Sequence, residues 1–153
     1  MSDAAMDEVD LEEMGPVDWI VLGWPGKRPD GGEIAPMIVD LVDRGIIRVL
    51  DLAFMSKDAD GTATAIDLEH LGPDSPFAVF DGASTGLIDP ADLEEAAAAI
   101  EPGDSAAILV YENKWAAPLA IALRRSGGLL LADGRIEIQA LIAALDALDG
   151  AAR

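Results

Sequence analysis

The stretch Ile46 to Leu68, IIRVLDLAFMSKDADGTATAIDL, constrains the fold more than any other. It joins a long apolar run, an Asp60-Gly61 pair and a second run rich in threonine and alanine. Asp-Gly between two such runs is a strong hairpin signal, because the tight turn needs positive φ. By alternation the first arm carries Ile46, Leu50, Leu52 and Phe54 on one face and Ile47, Val49, Ala53 and Met55 on the other. An antiparallel strand with one wet face alternates cleanly, so this one is expected to be covered on both faces, by helices on one side and by a further layer or a second subunit on the other. The more polar second arm, Thr62 to Leu68, reads as an edge.

The flanking chain supplies the rest of a small α/β domain. Gly15-Pro16 breaks the chain, and Val17 to Gly23 (VDWIVLG) reads as a central strand. The turn-rich loop Trp24 to Gly32 leads into an amphipathic helix with Ile34, Ile38 and Leu41 on its stripe, ending near Arg44 with Gly45 as a left-handed cap. Gly72-Pro73, Pro76, Asp81-Gly82 and Gly86 mark a long connection with one short helical turn around Phe77 to Phe80. Asp89-Pro90 is a helix start, an N-cap with proline at the first helical position, and Leu93, Ala97 and Ile100 form that helix's stripe. Ser105 to Tyr111 reads as a strand. Trp115, Leu119, Ala122 and Leu123 line a helix that ends at Arg124, Arg125 and Gly127. Leu129 to Ala132 reads as a strand, and Ile138, Leu141, Ile142, Leu145 and Leu148 make a final amphipathic helix.

Two segments repeat. Ala35 to Gly45 (APMIVDLVDRG) lies over Ala117 to Gly127 (APLAIALRRSG), matching Ala, Pro, an apolar residue, Val against Ile, Leu and the terminal Gly. Each copy has a strand before the helix and another after the glycine. That is the sequence logic of a ferredoxin-like α+β sheet, two split βαβ units, here with an added hairpin strand and a C-terminal helix. Right-handed crossovers put both repeat helices on one face.

The runs VDWIVLGWPG, GEIAPMIVDLVDRGIIRVLDLAFMSKDADG and GLIDPADLEEAAAAIEPGDSAAILVYENKWAAPLAIALRRSGG resemble an uncharacterised family of short acidic actinobacterial proteins, a domain of unknown function. The resemblance spans about residues 15 to 148. It implies a small cytoplasmic α/β domain with no assigned activity, so no catalytic residue is carried over.

Length and charge bound the function. With 153 residues the chain fits one domain able to bury a core without disulfides or a structural metal. Residues 1–14, which hold Asp3, Asp7, Glu8, Asp10, Glu12 and Glu13 and no base, read as an acidic disordered tail, and 15–150 as the domain. No cysteine is present, which excludes thiolate zinc sites and cysteine nucleophiles and agrees with a cytoplasmic location. No apolar run reaches the roughly 18 residues that span a bilayer. A net charge of −19 disfavours nucleic acid and anionic lipid as partners.

Three motifs fail on context. Gly82-Ala83-Ser84-Thr85-Gly86 fits the nucleophile elbow of α/β-hydrolases, but the only histidine, His70, lies upstream of the serine where a triad needs it downstream. Ser56, Asp58, Asp60, Gly61, Thr64 and Asp67 fall at calcium-loop positions, yet the flanks are strands and the last ligand is Asp instead of a bidentate Glu. The loop after Gly26 lacks the Gly-Lys-Ser/Thr of a phosphate-binding loop. No catalytic residue, metal or cofactor is therefore assigned. One constellation remains: if the first strands of the two units lie side by side, Trp24, Lys27 and Arg28 converge with Asn113, Lys114 and Trp115 at one end of the sheet, a candidate small-anion or partner site. The sequence thus predicts a non-enzymatic binding or regulatory module acting as a homodimer or with another protein partner. The alternative is a small-ligand protein or enzyme using those two loops.

Overall fold

The computed structural model describes residues 13–83 and 85–152. Apart from its last two residues, the acidic tail expected over 1–14 lies outside that description. The hairpin forms as expected: β2 (Ile47–Lys57) returns as β3 (Ala63–Ile66), with Lys57 opposite Ala63 and Phe54 opposite Ile66. The Asp58 amide donates to the Thr62 carbonyl at 2.8 Å, and Gly61 takes φ of +89°.

The other elements are β1 (Val17–Trp24), α1 (Ile34–Asp43), α2 (Pro90–Ala97), β4 (Ser105–Asn113), α3 (Ala117–Arg125) and α4 (Ile138–Ala152). The sheet is antiparallel throughout, in the order β1-β4-β2-β3. Strands β1 and β2 are therefore parallel to each other with β4 between them, so β1-α1-β2 is one split βαβ unit, as the repeat predicts. The second unit is incomplete. Leu129 to Ala132 forms no strand, and Leu129, Leu130 and Leu131 are 75%, 64% and 88% exposed. Among the described residues no strand takes its place beside β1, which makes β1 an edge strand and corrects the reading of Val17 to Gly23 as central.

One sheet face is fully covered. Ile20 and Leu22 of β1, Ala107 and Leu109 of β4, and Leu52 and Phe54 of β2 pack under Ala35 and Ile38 of α1 and under Phe77 and Phe80 of the 3-10 turn Pro76–Phe80. Phe77 is fully buried and meets Phe54 at 4.8 Å and Trp24 edge-on at 6.0 Å between ring centroids. The opposite face is half covered: Ala96 and Ala97 of α2 and Ile100 just after it lie over Met55, Ala106 and Ile108. Strict alternation misassigns β2, because the ladder to β4 shifts register between Val49 and Asp51. That β-bulge at Leu50 puts Ile47 on the covered face with Leu52 and Phe54, where an unbroken strand would oppose them. Of the two repeat helices only α1 packs into a core, since α3 contributes to neither cluster.

The helix ends follow their local chemistry. Asp89 and Asp92 form a reciprocal capping box at α2 with Pro90 inside it. After α1 the Ile46 amide donates to the Leu41 carbonyl at 2.9 Å across Gly45, and after α3 the Gly128 amide donates to the Leu123 carbonyl at 2.9 Å across Gly127. Both glycines sit at positive φ, so the two repeat helices share one C-terminal capping geometry.

Candidate functional site

The two loops singled out in the sequence do not converge. Strands β1 and β4 run antiparallel, with Trp24 opposite Ser105 and Val17 opposite Glu112. Trp24, Lys27 and Arg28 therefore leave one end of the sheet and Asn113, Lys114 and Trp115 the other, roughly 25 Å away along eight-residue strands. At the first end Trp24 is half-buried against Phe77, Lys27 Nζ lies 3.4 Å from Asp30 Oδ2, and Arg28 Nη2 donates to the His70 carbonyl at 2.7 Å. The amide of Gly32 and then the Lys27 ammonium hold the Asp30 carboxyl below its ordinary range. The open cleft beside these residues also carries Asp74, so its charge is mixed. At the other end Asn113 Nδ2 donates to the Pro16 carbonyl and to Asp18 Oδ2, and Trp115 Nε1 donates to Asn113 Oδ1. Lys114 is exposed.

The calcium-like spacing resolves into turn geometry. Asp60 Oδ1 accepts from the Thr62 amide, which lowers the Asp60 pKa, and Asp58 Oδ2 accepts from the Thr64 hydroxyl. Among the described residues no group of three or more His, Cys, Asp or Glu is arranged to hold a metal. Ser84 of the elbow-like motif lies outside the described residues, while its neighbour Thr85 is tied to β2 by two hydrogen bonds. His70 is exposed and lies near Asp67.

Two buried carboxylates have structural partners. Asp51, 1% exposed, accepts from the amides of Leu52 and Thr85 through Oδ1 and of Ile88 through Oδ2, at 2.8–2.9 Å. It thereby straps the Thr85–Ile88 loop to the bulge. Glu112 accepts from the Gly15 amide at 2.8 Å and pairs with Arg48.

The structure's own candidate is an apolar groove of about 550 Å³ on the half-covered sheet face. Val17 and Trp19 of β1, Val110 of β4 and Leu50 of the bulge form its floor, and Leu87 and Ile88 form a wall held by Asp51. Asp92 and Glu95 of α2 mark its rim. Trp19 is 61% exposed there. Polar groups do not converge on the floor, so the surface suits an apolar protein segment better than a charged substrate. The sequence reading misses the groove residues because it takes β1 for a central strand. Its outward alternation, Val17, Trp19 and Val21, was the available signal.

The C-terminal segment is a second exposed apolar surface. Helix α4 exposes Ile138, Leu141, Ile142, Leu145 and Leu148 along one stripe. Residues from Leu129 onward supply nine of the seventeen large hydrophobic side chains exposed among the described residues, too many for a surface at rest in water. Among the described residues no helix is long and apolar enough to cross a membrane. Compared with known proteins, residues 13–151 match the model of a family described as "Family of unknown function (DUF6325)". No curated protein and no solved structure matches the chain.

Proposed function

The chain belongs to that family of unknown function, and from its own surface we propose that it is a non-catalytic binding or regulatory module that works as a homo-oligomer. One observation carries this reading: a single chain presents both an open apolar sheet face and an unpartnered apolar C-terminal segment. Two such surfaces in one molecule favour association of copies, because each removes the other's apolar area from water. The non-catalytic part rests on what the polar groups do. Asp51 and Glu112 are spent on holding the backbone, Arg28 on tying its loop to the His70 carbonyl and Asn113 on joining the end of β4 to Pro16. The alternative, a small-anion site around Trp24, Lys27 and Arg28, has less support, since Lys27 faces Asp30 and Arg28 already holds a carbonyl.

The test is thermal unfolding against protein concentration for the wild type and Trp19→Asp. An oligomer gains stability by mass action, so the wild-type Tm rises as concentration is raised about a hundredfold, while the variant's does not. A wild-type Tm independent of concentration refutes the proposal.

A further inference from the structure

The two repeat helices leave by the same cap, but only the first feeds a strand. Past Gly45 the chain becomes β2; past Gly127 the equivalent residues are Leu129, Leu130 and Leu131, apolar, unpaired and exposed. In the first unit the closing strand lies one strand away from β1, parallel to it. The same rule applied to β4-α3 puts residues 129–131 on the far side of β1, antiparallel to it. That edge is open, and it is an eight-residue apolar strand whose one charge is Asp18. Long, flat, apolar edges of this kind pair with another strand when left uncovered.

Resting on the homo-oligomer reading above, we propose that the occupant is a second copy of this chain: its C-terminal arm, residues 128–151, is exchanged between two molecules. Leu129–Leu131 of one copy extends the sheet at β1 of the other, and the Leu141–Leu145 stripe of α4 seats in the groove over Trp19 and Val110. The dimensions agree. Helix α4, with 15 residues, is about 22 Å long, and the eight residues of β1 beneath the groove span about 27 Å. Residues 126–128, between α3 and Leu129, make the crossing and span up to about 10 Å, so the two β1 edges lie close to the exchange point, and the six residues 132–137, without helix or strand, reach up to about 20 Å from the added strand to α4. In this structure the arm stands away from its own β1 edge and groove, both of which are open among the described residues. Reciprocal exchange gives a closed two-fold dimer that uses both apolar surfaces of both copies.

Charge sets the orientation and the occupant. The groove rim carries Asp92 and Glu95, so Asp146 and Asp149 of α4, the second on the stripe face four residues after Leu145, lie beyond the rim at the end of the helix. An anionic membrane is disfavoured as the occupant because interfacial helices carry Lys and Arg on the polar face and this one carries carboxylates. Each chain bears −19, so association strengthens as salt rises.

The chain has no cysteine, which allows a clean cross-linking test on the full-length protein. Trp19→Cys and Leu145→Cys are prepared separately, the second isotope-labelled, then mixed and treated with a short bismaleimide; Asp74→Cys replaces Trp19→Cys as the control. Arm exchange predicts a mixed, two-chain adduct at least about tenfold above the control, since a docked arm raises the local concentration to the millimolar range. The double variant Trp19→Cys/Leu145→Cys separates the outcomes. An adduct confined within one chain means that the arm closes on its own body and overturns the proposal. Light scattering on the same samples distinguishes the remaining failures: a dimer without the mixed adduct overturns arm exchange and leaves self-association standing, and a monomer overturns both.

Discussion

Replacing Asp51 by asparagine changes one atom of a buried side chain and is expected to loosen a wall of the groove. Its two oxygens accept three backbone amides, those of Leu52, Thr85 and Ile88. Asparagine keeps one oxygen, which stays on Leu52 and Thr85, and turns an N–H toward the Ile88 amide. One charge-assisted hydrogen bond is lost, about 1.5–3 kcal/mol, and the Ile88 N–H loses its acceptor, a further 1–3 kcal/mol where no water reaches it. A net loss of about 3 kcal/mol is expected, a large part of the 5–15 kcal/mol that holds a typical domain. Urea unfolding followed by circular dichroism measures it as a lower midpoint at unchanged m. Leu87 and Ile88 line the groove, so the variant should also self-associate more weakly than its stability loss alone explains. A variant within about 0.5 kcal/mol of wild type, the range of ordinary surface substitutions, refutes the strapping role of Asp51.

Three other substitutions probe the frame around the groove. Arg48→Met leaves the Glu112 carboxylate, 3% exposed, with the Gly15 amide as its only hydrogen-bond donor among the described residues; a loss of about 3 kcal/mol is expected, and Arg48→Met/Glu112→Leu should recover part of it in a double-mutant cycle. Gly31→Ala puts a Cβ 2.8 Å from two ring carbons of the fully buried Phe77, and calorimetry should show a loss of about 1–3 kcal/mol. Lys57→Met removes the ammonium that caps the Ala97 and Ile100 carbonyls at 3.0 Å; a loss of about 1–2 kcal/mol is expected, with faster amide exchange in the last turn of α2.

What was legible in the sequence was local. The Asp60-Gly61 turn, the Asp89-Pro90 helix start and the Gly45 and Gly127 caps all depend on chemistry within a few residues, and each stands where the residue pattern puts it. The first βαβ unit is legible as well, because Ala35 and Ile38 of α1 pack against Leu52 and Phe54 of β2, the strand that follows it in the chain. What failed depended on pairing at a distance. The bulge at Leu50 is fixed by the ladder to β4 and by Asp51 reaching the Thr85 loop, and a two-residue period cannot reveal it. The apolar character of Leu129 to Leu131 is strand-like, but a strand needs a partner, and in one chain none is engaged. The loop cluster failed for a geometric reason: neighbouring antiparallel strands send their outgoing loops to opposite ends, so Lys27 and Lys114 cannot share a site on one molecule.

On the proposed reading, the open sheet face and the C-terminal arm make this chain self-associate. The most direct measurement is the mass of the full-length protein by size-exclusion chromatography with light scattering, at about 0.15 M salt, where surface repulsion is screened beyond roughly 8 Å. A particle of twice the 15.9 kDa chain mass is expected, reverting to one chain mass in Leu141→Asp/Leu145→Asp. A wild-type protein that runs at 15.9 kDa at every concentration tested contradicts it.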